Sequence, residues 1–251
     1  MNAFRKSVLA LLGLITIGLN GCATDPYGAY DPDPIEPVNR IMYGVTDLAD
    51  RAFLEPVADF YILVTPAPVR DGVTNFFDNL GTVNVIVNDL LQGKVEQGAS
   101  DTARLAINST IGLLGVFDVA TSMGFEAHDE DLGQTLGVWG FGEGPYLFVP
   151  FYGPNNARDL GNIPMSFITN PMYYIWDSSV TGPLSALSIV NNRANLKTAS
   201  RVRDEAALDP YVFTREAYRQ NRMYKVYDGD PPTPGMDEAL DEALEAELNG
   251  L

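Results

Sequence analysis

Three uncharged stretches, each broken by glycine or proline, constrain this chain more than any other feature of its sequence. They are Leu105 to Phe117 (LAINSTIGLLGVF), Gly144 to Ala157 (GPYLFVPFYGPNNA) and Leu160 to Trp176 (LGNIPMSFITNPMYYIW), in a protein whose 251 residues carry 33 acidic and 16 basic side chains. A membrane-spanning helix needs about 20 apolar residues in a row. No stretch downstream of residue 21 meets that length. Two placements remain for such segments. They can lie within one leaflet, with Tyr146, Tyr152, Tyr173, Tyr174 and Trp176 at the interface, or they can form the core of an ordinary globular domain. Periodicity taken alone favours the core.

Helix signals dominate the rest. Ser100 is suited to cap a segment in which Ala103, Ala106, Ile107, Ile111, Leu114 and Phe117 recur at spacings of three and four, with Asp101, Arg104 and Asn108 on the other face. Asp209 and Pro210 make a helix start, followed by Tyr211, Thr214, Ala217, Tyr218 and Met223 as a core face. Thr181 and Pro183 predict a third helix. Gly93 predicts the end of a fourth, running through Val83, Ile86, Val87, Leu90 and Leu91, although the alternation of Val83, Val85 and Val87 also fits a strand. No other stretch reads as a strand. The expected class is therefore all-α, in one domain over residues 33–228.

The ends read differently. Arg5 and Lys6 precede an apolar run from Val8 to Leu19, the pattern of an export signal over residues 1–21. Leu19, Asn20, Gly21 and Cys22 then resemble the lipobox of bacterial lipoproteins, in which the cysteine is acylated and becomes the first residue. This accounts for the chain's single cysteine, which would otherwise be an odd free thiol in an oxidising compartment. Ala23 stands where an aspartate would direct retention at the inner membrane, so delivery to the outer membrane is expected. Residues 22–32 are a Pro-, Gly- and Asp-rich tether. Residues 229–251 are an acidic tail, either solvated or a short docking helix on Leu240, Leu244 and Leu248.

Removal of the signal takes away two bases and no acid, leaving a charge of −19. Such a surface repels nucleic acid. Against that background the segment from Arg193 to Lys225 holds eight bases and four acids. Arg215, Arg219 and Arg222 fall at helical spacing, a stripe suited to lipid phosphate or an acidic partner, or else a solvated face with ion pairs such as Glu216 to Arg219.

Catalytic patterns are weak. His128, the sole histidine, lies in EAHDED, which suits a loosely held divalent cation or part of a Ser-His-Asp set. No GxSxG or HExxH accompanies it, and the glycines from Gly137 to Gly144 lack the Lys-Ser or Lys-Thr of a phosphate loop. Neither an enzyme nor a cofactor is expected.

Five strings remain: DPIEPVNRIMY (Asp33 to Tyr43), VRDGVTNFFDNLGTVNVIVNDLLQGK (Val69 to Lys94), RLAINSTIGLLGVFDVA (Arg104 to Ala120), EDLGQTLGVWGFGEGPYLFVPFYGPNNARD (Glu130 to Asp159) and DPYVFTREAYRQNR (Asp209 to Arg222). In order and spacing they resemble the motifs of the VacJ, or MlaA, lipoproteins of Gram-negative bacteria. Val83 departs from the family pattern, which more often has proline there, and Asn155 and Asn156 stand where Ser and Thr are usual. The resemblance implies an all-helical ring with a central amphipathic channel, set in the inner leaflet of the outer membrane. It also implies association with a trimeric porin, and passage of phospholipid that has strayed into the outer leaflet to a soluble periplasmic carrier. Leu113, Leu114, Val116 and Phe117, together with Tyr146, Phe148 and Phe151, are then the expected lipid or channel contacts. A lipoprotein that docks on porin without moving lipid is the alternative.

Overall fold

A computed structural model of the protein describes residues 33–232. The export signal, Cys22 and its tether, and the leucine repeat near the C-terminus lie outside the described residues. In chain order the helices are α1 (Glu36–Ala49), a π-helical turn (Asp50–Leu54), α2 (Glu55–Val64), α3 (Ala67–Gln92), α4 (Val95–Thr110), α5 (Val119–Ser122) and α6 (Leu132–Val138). After a hairpin of β1 (Tyr146–Val149) and β2 (Gly153–Asn156) come α7 (Asn162–Thr169), α8 (Met172–Ile175), α9 (Ser178–Asn195), α10 (Lys197–Ala206) and α11 (Pro210–Val226). The fold is all-helical apart from that hairpin. No described helix is long and apolar enough to cross a membrane.

The 26-residue α3 is the spine, packing against α4, α6, α7 and α9. Pro68 fits its first turn, where the missing N–H costs no helical bond. Gly93 ends it at φ 77°, a left-handed conformation, with the Lys94 N–H donating 2.8 Å back to the Asp89 carbonyl. Val83, Val85 and Val87 are thus helical: a long run of good i, i+4 neighbours overrides a three-residue alternation. α11 starts as its sequence predicts, with the Asp209 carboxylate accepting from the N–H groups of Tyr211 and Val212 at 2.9 and 3.2 Å.

Two helix starts fall earlier than expected. α4 begins at Val95, directly after the Gly93 turn, and Ser100 lies inside it. α9 begins at Ser178, capped by Asp177, and Pro183 sits within its second turn. In both cases the nearer cap wins: a tight turn and an aspartate leave no room for an uncoiled lead-in.

The hairpin corrects the expectation that no strand follows. Leu147 pairs with Asn155 and Phe148 with Pro154 in antiparallel register. Four residues between Pro145 and Pro150 are too few to show alternation in sequence. The hairpin is held instead by a distant side chain, Asn39 of α1, whose amide donates to the Tyr146 carbonyl at 3.0 Å while its oxygen accepts from the Phe148 N–H at 2.9 Å.

Candidate functional site

The distribution of polarity is inverted relative to a water-soluble domain. Among the described residues 17 polar or charged side chains are buried, against seven apolar ones. Large apolar side chains are instead exposed along α1 and α2, from Ile35, Val38 and Ile41 to Phe60 and Leu63. Soluble proteins rarely expose a contiguous apolar patch of that kind. α4 shows the inversion in one element. Its sequence separates two faces as expected, but Asp101, Arg104 and Asn108 point inward and are buried, while the apolar run after its end is exposed.

The inward faces enclose a cavity of about 560 Å³ between α3, α4, the end of α7 and the loop Ala127 to Asp131. Its wall is mixed. Phe77, Leu80 and Val85 interrupt a lining of asparagines and carboxylates. Arg104 is fixed there by Asp118, at 3.2 and 3.1 Å from its two oxygens, and by the Thr121 hydroxyl at 2.9 Å. Burial opposes ionisation of Asp118. Hydrogen bonds from Thr121, Asn108 and Arg104 outweigh it and hold its carboxyl down at about 2. Asn108 ties the same corner together, donating to Asp118 at 3.0 Å and accepting from the Ala120 N–H at 2.9 Å.

At this wall lies a buried carboxylate pair, Asp101 lining the cavity and Asp89 set behind it. Asp89 and Asp101 are 0% and 1% exposed. Asp101 meets Nδ1 of His128 at 2.8 Å, and one oxygen of Asp89 accepts from Gln97 at 2.8 Å while the other has no partner. Burial, then the charges of Asp101 and Glu130, push the Asp89 carboxyl up to about 7. His128 is therefore engaged with one carboxylate. No three His, Cys, Asp or Glu among the described residues are placed to hold a metal ion together.

The α4–α5 connection presents the apolar side chains. Leu113, Leu114 and Phe117 are 64%, 60% and 57% exposed, with Val116 between them. The backbone of the loop has a specific shape. Leu113 and Leu114 both take left-handed φ, at 53° and 60°, and Gly115 follows at 91°. Such φ values strain leucine, and backbone bonds hold them: Gly115 N–H to the Asn108 carbonyl at 2.7 Å, and Phe117 N–H to the Gly112 carbonyl at 2.9 Å. A Cβ on Gly115 would lie 2.3 Å from Cβ of Asn79, so the close approach to α3 requires glycine as much as the dihedral does.

Other sequence-expected contacts are placed elsewhere. Tyr146 and Phe148 are 2% and 7% exposed and form a core with Tyr211, Tyr43 and Tyr218, ring centroids 5.4 to 6.2 Å apart. They cannot touch lipid there. Phe151, at the hairpin tip, is exposed. The arginine stripe also turns inward. Arg215 pairs with Glu216, Glu36 and Asp33, Arg219 with Glu143 and Glu216, and Arg222 with Asp131 at 2.6 Å and Asp159 at 2.7 Å. Each guanidinium is already neutralised by the chain's own acids, and so the stripe is an internal clamp rather than a phosphate receptor. The residues missed by sequence reading are the lining asparagines. Asn75, Asn79 and Asn84 line the cavity from α3, with Asn88 buried one turn beyond; Asn75 and Asn79, like Asn84 and Asn88, stand four apart, a signal of a polar helix face that was present in the sequence.

The model of the MlaA lipoprotein family matches residues 31–225. The chain belongs to the MlaA lipoprotein family. The intermembrane phospholipid transport system lipoprotein MlaA of Escherichia coli (strain K12) is 33% identical over 231 residues, covering 90% of each chain. Its counterpart in Haemophilus influenzae is 32% identical over 235 residues, covering 89% of this chain and 92% of that one. A structure solved in work on the maintenance of bacterial outer membrane lipid asymmetry superposes with a TM-score of 0.68 at 29% identity, over 77% of this chain and 98% of the other. The MlaA motifs quoted above map onto α1, α3, α4 with its apolar loop, the segment from Glu130 through the hairpin, and α11.

Proposed function

We propose that this protein is a lipid-anchored component of the outer membrane that carries mislocalised phospholipid out of the outer leaflet and delivers it to a soluble carrier in the periplasm. One observation carries the reading: apolar side chains face outward and polar ones inward, around a cavity large enough for a headgroup. A charged headgroup crossing hydrocarbon costs several kcal/mol unless polar groups line its route. The buried asparagines and carboxylates supply that route, while the belt along α1 and α2 and the loop at Leu113, Leu114, Val116 and Phe117 sit among acyl chains of one leaflet. Passage is then downhill, with no covalent chemistry. Acylation at Cys22 holds the protein at the periplasmic face, since several acyl chains anchor where one gives only a binding constant of about 10⁴ M⁻¹. Docking on a trimeric porin would set the depth of the belt.

Names and folds of the relatives support this reading. The test is reconstitution with porin, labelled phospholipid and an acceptor carrier protein. Intact lipid should reach the acceptor, and serine at Leu113, Leu114 and Phe117 should abolish its arrival while leaving Cys22 acylated. Porin binding without transfer would replace the proposal with a docking role. Release of fatty acid would replace it with hydrolysis.

A further inference from the structure

One part of the cavity wall is held differently from the rest. Asp118, Glu130 and Asp131 are each bonded by two or more residues of the chain. The strap of residues 126–128 is not. Its two ends are tied: the Phe125 N–H donates to the Ala120 carbonyl at 3.1 Å and the Phe125 carbonyl accepts from Arg104, while the Asp129 carbonyl accepts from the Gln134 amide at 2.8 Å. Between those ends, no described residue bonds to the backbone of Glu126, Ala127 or His128. The only hydrogen bond from the strap to the rest of the described fold joins Nδ1 of His128 to Asp101 at 2.8 Å.

His128 also stands in a particular place. It lines the cavity and, in addition, an open cleft of about 690 Å³ whose other walls include Lys94, Glu96, Ser100 and Glu126. That cleft lies at the N-terminal end of α4, and the apolar loop at its C-terminal end, about 24 Å away at 1.5 Å per residue. Charged walls suit the cleft to water, whereas the loop suits acyl chains. Asp101 is buried and belongs to α4, so the strap is fastened to a regular helix. A segment whose own backbone is unbonded opens locally at little cost. Here the closed state is held by one hydrogen bond to a carboxylate, which favours it by roughly tenfold.

We propose that the strap is a latch: the bond from His128 to Asp101 keeps the cavity shut on its water side, and its release lets a lipid head leave through the outer cleft towards the carrier. The inference rests on the phospholipid passage proposed above and names where that passage ends.

The test uses the full acylated chain carrying Val85→Cys, because Val85 lines the cavity and acylation of Cys22, the chain's single cysteine, leaves no other thiol. In vesicles with porin, two rates are read: modification of the new thiol by trimethylammonium-ethyl methanethiosulfonate, a choline-like probe, and transfer of labelled phospholipid to the acceptor carrier. His128→Ala should raise both by about tenfold. His128→Asn, whose amide can donate to Asp101 in place of Nδ1, should return both towards the parent. Parental rates of modification and transfer in His128→Ala overturn the latch and leave the transport reading standing. Faster modification with unchanged transfer also overturns it, since lipid then leaves elsewhere. Absence of any transfer by the unsubstituted chain removes the transport reading, and the exit with it.

Discussion

The apolar runs Ile111 to Phe117 and Tyr146 to Val149 look alike in sequence and end in opposite environments. Both are uncharged, and both adjoin glycine or proline. In the first, the loop closes its backbone bonds mostly on itself and on α4, with long ones from Asn75 and Asn79 of α3, and Leu113, Leu114 and Phe117 stand outside. In the second, Asn39 offers the backbone an outside partner, β2 supplies another, and alternate side chains drop onto Tyr211. Whether an apolar run is buried in protein or offered to lipid thus turns on who satisfies its backbone, and that partner stands 107 residues away in the chain.

Truncation of the hairpin should have the largest effect on stability. Tyr146→Ala empties the centre of the aromatic core and should cost about 3 to 5 kcal/mol in a denaturant titration. Arg222→Ala comes next, at about 3 kcal/mol, because it leaves Asp131 without its cation and takes from the buried Asp159 one of its two, Arg158 being the other. A variant at this position that lost lipid transfer while retaining full stability would revive the arginine stripe as a headgroup contact.

The buried pair behind the cavity gives a pH-dependent test. Asp89 is raised in the folded protein, so its contribution is fully present at low pH and is lost as pH climbs from the ordinary carboxylate range through about 7. Asp89→Asn cannot ionise. Relative to the parent it should gain of order 2 kcal/mol at pH 8 and show a flatter dependence of melting temperature on pH between 4 and 8. The smallest effect belongs to the apolar loop. Leu113→Ser with Leu114→Ser should change stability in detergent by less than about 0.5 kcal/mol, as exposed positions do, yet abolish transfer. A large loss of stability would show that the loop is core after all and erase the contrast with the hairpin.

The helices were legible wherever local signals suffice: Asp209 with Pro210, Gly93, and the spacing within α4 all act through neighbours in sequence. The two faces of α4 were legible too, but not which of them turns inward. That choice depends on the medium outside the protein, which residue spacing does not encode. The hairpin and the arginine clamp were illegible for a related reason. Asn39, Glu36 and Asp131 reach their partners across the fold, and no short window contains both ends of such a pair.

The π-helical turn between α1 and α2 has one more consequence. Along the belt, exposed apolar residues follow one another by three or four positions from Ile35 to Leu48, then by five from Leu48 to Phe53, then by three or four again to Leu63. A step of five would carry Phe53 off the stripe on a regular α-helix, whereas the wider coil of Asp50–Leu54 absorbs the surplus residue and returns the side chain to the same line. The turn therefore reads as a one-residue insertion accommodated without rotating the greasy surface, and a shortened relative lacking that residue should continue straight through as ordinary α-helix.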